Sequence, residues 1–292
     1  MRLGNLVNRH LGRRVFIFGS GPSFLKFSKD QIKQIEENEI SIAVSLALVG
    51  IKPTYWTSSG HPVNAAYALE HADPRTILLF AQAPDENIFF KQEPRLIKIY
   101  SRPQRDHELL SQNITDNTLL GSHNVSLNAI HLAYILGATE IVFIGFDYEN
   151  RLHYYSQCAE LEGDYSHITP KKEIINRLHM LAEKYKHDTT RNFAGCDTIS
   201  EGCLRAINTD EDDKDVDSAC QFHSNETMKQ LPLSPHPGTR EKNILRFKRC
   251  VDQLKEEGIK FYTIADKGIT VEAGIETVDT NYLLSSHKGG NK

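Results

Sequence analysis

Short apolar runs separated by amphipathic stretches dominate the first half of the chain and predict alternating strands and helices. The runs Val15 to Phe18, Ile40 to Val44, Thr54 to Thr57, Thr76 to Phe80, Leu96 to Tyr100, Ile141 to Gly145 and Ile259 to Ile264 read as strands, because they are short, apolar and rich in β-branched or aromatic residues. Ser28 and Gln31 have the capping-box spacing that starts a helix, here extending to about Glu37. Asn124 to Leu136 places Val125, Ala129, Leu132, Ala133 and Leu136 on one helical face, and Gly137 stands where such a helix ends. This alternation predicts an α/β fold, a mainly parallel sheet with helices on both faces.

The pattern changes from about Asn150 to Pro235. One helix is predicted to start at Thr169-Pro170, with Ile174, Leu178, Leu181 and Tyr185 along a stripe. The polar stretch from Arg191 to Gln230 includes the acidic run Asp210 to Asp217 and reads as a lid-like insertion. That run lacks the spacing of a calcium loop, and a solvated acidic loop explains it better than a cation site. A helical stripe resumes at Thr239 with Ile244, Phe247, Cys250, Val251 and Leu254, ending at Gly258. The expected organisation is a nucleotide-binding core over 1–150, a lid or acceptor insertion over 151–235, completion of the core over 236–284 and a disordered tail over 285–292.

The chemistry is concentrated where the first strand ends, in Gly19-Ser20-Gly21-Pro22-Ser23. Glycines there let backbone N–H groups approach an anion, and the dipole of a following helix favours negative charge. On this reading Gly21→Val blocks the anion and leaves the fold intact. The motif matches neither GxGxxG nor GxxxxGK[ST], and the same residues also suit a tight turn with no ligand.

Composition narrows the partners. Lys and Arg total 34 against 38 Asp and Glu, a formal charge of −4 that gives no general attraction for nucleic acid. Five cysteines without CxxC spacing indicate neither a zinc site nor a disulfide framework, which fits a reducing cytoplasm. No apolar run is long enough to cross a bilayer, and the amino terminus lacks the order of a signal peptide. The opening MRLGNLVNRHLGRR interleaves Arg2, Arg9, Arg13 and Arg14 with leucines, a pattern of a leading helix or of a weak contact with the inner face of a membrane.

Three phrases carry a family resemblance: GSGPS, AVSLALVGIKPTYW (Ala43 to Trp56) and GSHNVSLNAIHLAYILGATEIVFIGFDY (Gly121 to Tyr148). Their order resembles a superfamily with two branches, the bacterial sialyltransferases of glycosyltransferase family 42 and the 6-hydroxymethylpterin diphosphokinase MptE-like family. The resemblance covers about the first 155 residues and the segment Ser234 to Ile264. It implies a Rossmann-like sheet binding a nucleotide at the carboxyl ends of its strands.

In the sialyltransferase branch a tyrosine eight residues after the G-x-D aspartate contacts the donor phosphate, and Tyr155 has that spacing from Asp147. The resemblance makes His236, eleven residues before Phe247, the general base. It places Gly19, Ser20, Gly21, Pro22, Ser23, Ser45, Thr57, Asn124 and Asp147 around the nucleotide. Ser20, Ser45 and Thr57 stand where sialyltransferases have asparagines, which leaves the base and the sugar of the donor open. The implied activity is metal-independent, inverting transfer of a nonulosonate such as sialic acid from a CMP-activated donor to a glycan hydroxyl, with no cofactor. The pterin branch, which shares GIKP (Gly50 to Pro53), implies instead pyrophosphoryl transfer from ATP to a hydroxymethyl substrate, with Mg²⁺ held by Asp147. A non-catalytic nucleotide-binding module is the third reading.

Overall fold

The computed structural model describes residues 2–58, 62–81, 94–102, 108–114, 116–121, 125–147, 163–185 and 237–285. Among them, nine strands form one sheet: β1 (Arg14–Phe18), β2 (Ile40–Val44), β3 (Tyr55–Ser58), β4 (Ile77–Ala81), β5 (Leu96–Arg102), β6 (Thr118–Leu120), β7 (Glu140–Ile144), β8 (Lys260–Thr263) and β9 (Glu276–Thr277). Their order is β6-β5-β4-β3-β2-β1-β7-β8-β9, and every pairing is parallel. All seven strands expected from the sequence are present within one or two residues at each end. β6 and β9 are additional.

The helices are α1 (Lys29–Asn38), α2 (Pro62–His71), α3 (Val125–Ile135), α4 (Lys171–Tyr185), α5 (Pro237–Glu256), α6 (Ile269–Glu272) and α7 (Thr280–Ser285). They cover both faces of the sheet. Val15 and Ile17 of β1 share a core with α3 and α5, whereas Phe16 and Phe18 share the other with α1, α2 and α4. Burial on both faces explains why the strands read as continuous apolar runs. Ser28 caps α1 through the full capping box with Gln31.

Two expectations are corrected. α3 does not present a single apolar face, because Leu127, Asn128, Ile130 and His131 are buried along with the expected Ala129, Leu132 and Ala133. His131 Nδ1 accepts the Leu120 N–H at 2.9 Å and Nε2 lies 2.9 Å from the Ser111 carbonyl, so this buried imidazole ties the short β6 to α3.

The amino-terminal segment is not a leading helix. A 3₁₀ turn at Leu3–Leu6 buries both leucines in the core. Beyond it the N–H groups of Asn8, His10 and Gly12 donate to the carbonyls of Ile135, Leu136 and Gly137 at 2.8–2.9 Å. The segment thus satisfies carbonyls that the end of α3 would otherwise leave open. No helix among the described residues is long and apolar enough to cross a membrane.

Of the expected insertion, residues 163–185 are described. Ile168, Ile174, Leu178 and Leu181 are buried against the core that contains α2, so residues 163–185 form part of that layer. Residues 186–236, which hold most of the expected lid and the run Asp210 to Asp217, lie outside the described residues, as does the tail 286–292.

Candidate functional site

β1 lies between β2 and β7, and the chain leaves it in one direction toward β6 before returning to β7 on its other side. The loops after β1 and β7 therefore diverge at a topological switch point, where parallel α/β sheets open a crevice for ligands. Its walls are Gly19 to Ser23 on one side and Gly145 to Asp147 on the other.

Glycines allow these two turns to touch. The Gly19 N–H donates to the Ile144 carbonyl at 2.7 Å, and the Gly21 N–H donates to the Gly145 carbonyl at 2.9 Å, continuing the β1–β7 ladder past the strand ends. A Cβ on Gly19 would stand 2.4 Å from the Gly145 oxygen; one on Gly21 would stand 2.4 Å from Asp147 Oδ2 and 2.8 Å from the Gly145 oxygen. Gly145 has φ +76°, and a side chain there would meet the Gly19 oxygen at 2.3 Å. The glycines are thus required by contact between protein backbones, which the sequence could not separate from contact with an anion.

Ser23 completes the contact. Its N–H and its hydroxyl both donate to Asp147 Oδ2 at 2.9 Å, and its Oγ accepts the Gly145 N–H at 3.0 Å. Both residues are buried. Gly268, with φ +103°, closes over the same aspartate, since a Cβ there would lie 1.8 Å from the Asp147 carbonyl oxygen. The turn continues into a 3₁₀ helix, Pro22–Lys26, and α1 begins only at Lys29. The expected α-helix dipole is therefore not aimed at the turn.

Along the turn, Gly19, Gly21, Ser23 and Phe24 donate their N–H groups within the protein, and Pro22 has none. Ser20 differs. It is half-buried at the apex, and among the described residues neither its N–H nor its hydroxyl has a hydrogen-bond partner.

Ser45 and Thr57 lie at the ends of β2 and β3, on one side of β1. Ser45 sits at φ +50°, a region that non-glycine residues rarely occupy. Its carbonyl accepts the Trp56 indole N–H at 2.7 Å, and its Oγ lies 3.4 Å from that of Ser58. Thr57 is fully buried and its Oγ1 has no partner among the described residues.

Residues 163–170 cross the loops that follow β1 and β2. The Thr169 N–H donates to the Val49 carbonyl at 3.2 Å, Tyr165 OH reaches the Leu25 carbonyl at 3.5 Å, and Lys29 Nζ donates to Ser166 Oγ at 2.9 Å. His167 stacks on Phe24, and neither of its ring nitrogens has a partner among the described residues. Burial and the nearby Lys29 ammonium hold its pKa below the usual histidine value. Sequence reading missed His167, Ser58 and Gly268; only Gly268, a glycine just past a strand end, carried a signal.

The switch point thus brings together Gly19, Ser20, Gly21, Pro22, Ser23 and Asp147, with Ser45 and Thr57 on neighbouring strand ends. Asn124, Tyr155 and His236 lie outside the described residues.

A doubly wound parallel sheet with a glycine-packed switch point defines a Rossmann-like α/β protein. More narrowly, the chain belongs to the 6-hydroxymethylpterin diphosphokinase MptE-like family, whose model matches residues 2–151. Two solved structures are similar to it. The MAf glycosyltransferase from Magnetospirillum magneticum AMB-1 is 18% identical with a TM-score of 0.32, over 64% of this chain and 34% of that one. This chain therefore spans about a third of the length of that relative. The sialyltransferase CST-II, solved with a trisaccharide acceptor and CMP, is 18% identical with a TM-score of 0.32, over 60% of this chain and 78% of that one. No curated protein matches at a significant level.

Proposed function

We propose that this chain is a glycosyltransferase that takes a sugar, a nonulosonate such as sialic acid, from a CMP-activated donor and transfers it to a glycan hydroxyl. The observation that carries this reading is the donor inventory of the turn. A triphosphate cradle of the P-loop kind needs several consecutive backbone N–H groups aimed at the phosphates. Here only Ser20 has its N–H and hydroxyl open, a set suited to the single phosphodiester of a CMP-sugar.

In this scheme Ser20 holds the phosphate, and Ser45 contacts the nucleotide. Thr57 gains from the ligand the partner its hydroxyl lacks. Tyr155 donates to the leaving phosphate as negative charge builds there. His236 takes the proton from the acceptor hydroxyl as its oxygen bonds to the anomeric carbon, and the bond from that carbon to the phosphate oxygen breaks. In-line attack inverts the anomeric centre, and no metal takes part.

The family match favours a second reading, pyrophosphoryl transfer from ATP to a hydroxymethyl substrate. Asp147 would then hold Mg²⁺ through the carboxylate oxygen not bonded to Ser23, and the metal would neutralise charge on the phosphates.

Thermal shift and turnover separate the two. CMP and CMP-sialic acid at about 100 times Kd should each add about 2.7 kcal/mol of stability, and transfer should continue in EDTA. Stabilisation by ATP with Mg²⁺ alone, with activity abolished by EDTA, would overturn the glycosyltransferase reading.

A further inference from the structure

The geometry points to Ser23 and Asp147 as a positioning pair that holds the ligand-facing turn by hydrogen bonding, not as ligands of the phosphate or of a metal. The inference rests on the nucleotide site proposed above and assigns a different task to two of its expected contacts. Three bonds join the pair to the turns on both sides of the crevice: Ser23 N–H and Oγ–H to Asp147 Oδ2, each 2.9 Å, and Gly145 N–H to Ser23 Oγ, 3.0 Å. Ser23 Oγ therefore acts as donor and acceptor at once, and its hydrogen is engaged. Only 4% of Ser23 and 6% of Asp147 is exposed.

The pair fixes what lies above it. Ser20 and Gly21 have no side-chain bond of their own to the sheet, and their course is set by the Gly21 N–H bond to Gly145 and by Ser23 two residues on. Gly145 has φ +76° and gives its N–H to Ser23, so its geometry depends on the same hydroxyl. The Asp147 backbone is confined from behind by Gly268. What the pair requires of Asp147 is an acceptor oxygen in one place, a need that an amide oxygen also meets.

The test compares wild type with Ser23→Ala, Asp147→Ala and Asp147→Asn. CMP affinity is read by calorimetry, and hydrogen exchange is read at the Ser23 and Gly145 amides. Removing the acceptor in Asp147→Ala should weaken CMP binding by about 10- to 100-fold and expose the Ser23 amide. Ser23→Ala should expose the Gly145 amide. The conservative Asp147→Asn should recover CMP affinity to within about three-fold of wild type and restore protection, since it keeps the acceptor and removes the charge.

An Asp147→Asn protein that binds as weakly as Asp147→Ala with its amides protected would overturn the assignment, because the charge would then act on the ligand. So would unchanged protection in both alanine variants. If wild type binds no CMP, the proposed function fails separately, and amide protection alone decides the role of the pair.

Discussion

Arg14 and Leu283, 269 residues apart in sequence, are joined by a 2.6 Å hydrogen bond from the guanidinium Nη1 to the Leu283 carbonyl. Arg14 Nη2 also donates to Glu39 at 2.5 Å, and Glu140 lies 3.5 Å from Nη1. The guanidinium is buried at the amino edge of the sheet, opposite the switch-point crevice, and pins α7 to β1. Arg14→Ala leaves the Glu39 carboxylate buried without its cation, and should lower stability by about 3–5 kcal/mol in urea unfolding. Arg14→Lys should recover only part, because an ammonium cannot span three acceptors. A loss well under 1 kcal/mol for the alanine variant would show that the network contributes little.

The glycine contacts change what substitution at the turn does. Sequence reading expects Gly21→Val to block an anion and leave the fold intact. The structure puts Asp147 Oδ2 and the Gly145 oxygen in that space. Even Gly21→Ala must push the β1 turn away from β7, at about 1–3 kcal/mol of stability. Denaturant unfolding of Gly21→Ala checks this, and wild-type stability would mean the turns separate easily.

What was legible follows from the physics of each element. Seven strands could be read because parallel strands buried on both faces leave continuous apolar runs, as in Val15 to Phe18. β6 and β9, of three and two residues, are too short to leave a period. The opening segment misled because Leu3 and Leu6 suggest an apolar stripe, whereas tertiary bonds to the end of α3 hold it in turns. That Gly19, Gly21 and Asp147 mark one place in the fold was legible. Its internal wiring was not, because a glycine needed for backbone contact looks the same in sequence as one needed for a phosphate.

Among the described residues His10, His71 and His167 are held below the usual histidine pKa, chiefly by burial, and contribute to the acid side of the stability profile. Burial, with Arg9 and Arg13 nearby, lowers the pKa of His10, which is 2.8 Å from Tyr55 OH. Burial and Lys29 lower that of His167. Each folded-state pKa lies below the unfolded value of about 6.5, so the stability is complete above that pH. It is lost as pH falls from about 6.5 through the folded values, where the unfolded chain takes up protons first. Urea unfolding at pH 8, 6.5 and 5.5 should show a steady decline.

His167→Phe isolates one of these contributions. Phenylalanine keeps the ring beside Phe24 and removes two buried nitrogens that lack partners. It should raise stability by about 1 kcal/mol at pH 8 and by more at pH 5.5, since an unsatisfied buried polar group carries a penalty of that order. A destabilised variant with an unchanged pH slope would mean that His167 is neither strained nor titrating.

The strain at Ser45 predicts opposite effects on stability and binding. Trp56 is the sole tryptophan of the chain, is fully buried, and donates its indole N–H to the Ser45 carbonyl at 2.7 Å. A nucleotide that contacts Ser45 should therefore change Trp56 emission saturably, with the Kd found by calorimetry. Ser45→Gly relieves the φ of +50°. Glycine normally destabilises relative to alanine through the unfolded chain, but here Ser45→Gly should be more stable than Ser45→Ala by about 1 kcal/mol, because only alanine keeps a side chain in the left-handed region. Both variants lose the hydroxyl, and each should weaken CMP binding by about 3- to 10-fold, the effect of one neutral hydrogen bond. Equal stability of the two would show that the conformation carries little strain. Wild-type affinity in both would remove Ser45 from the nucleotide site while leaving Ser20 in place.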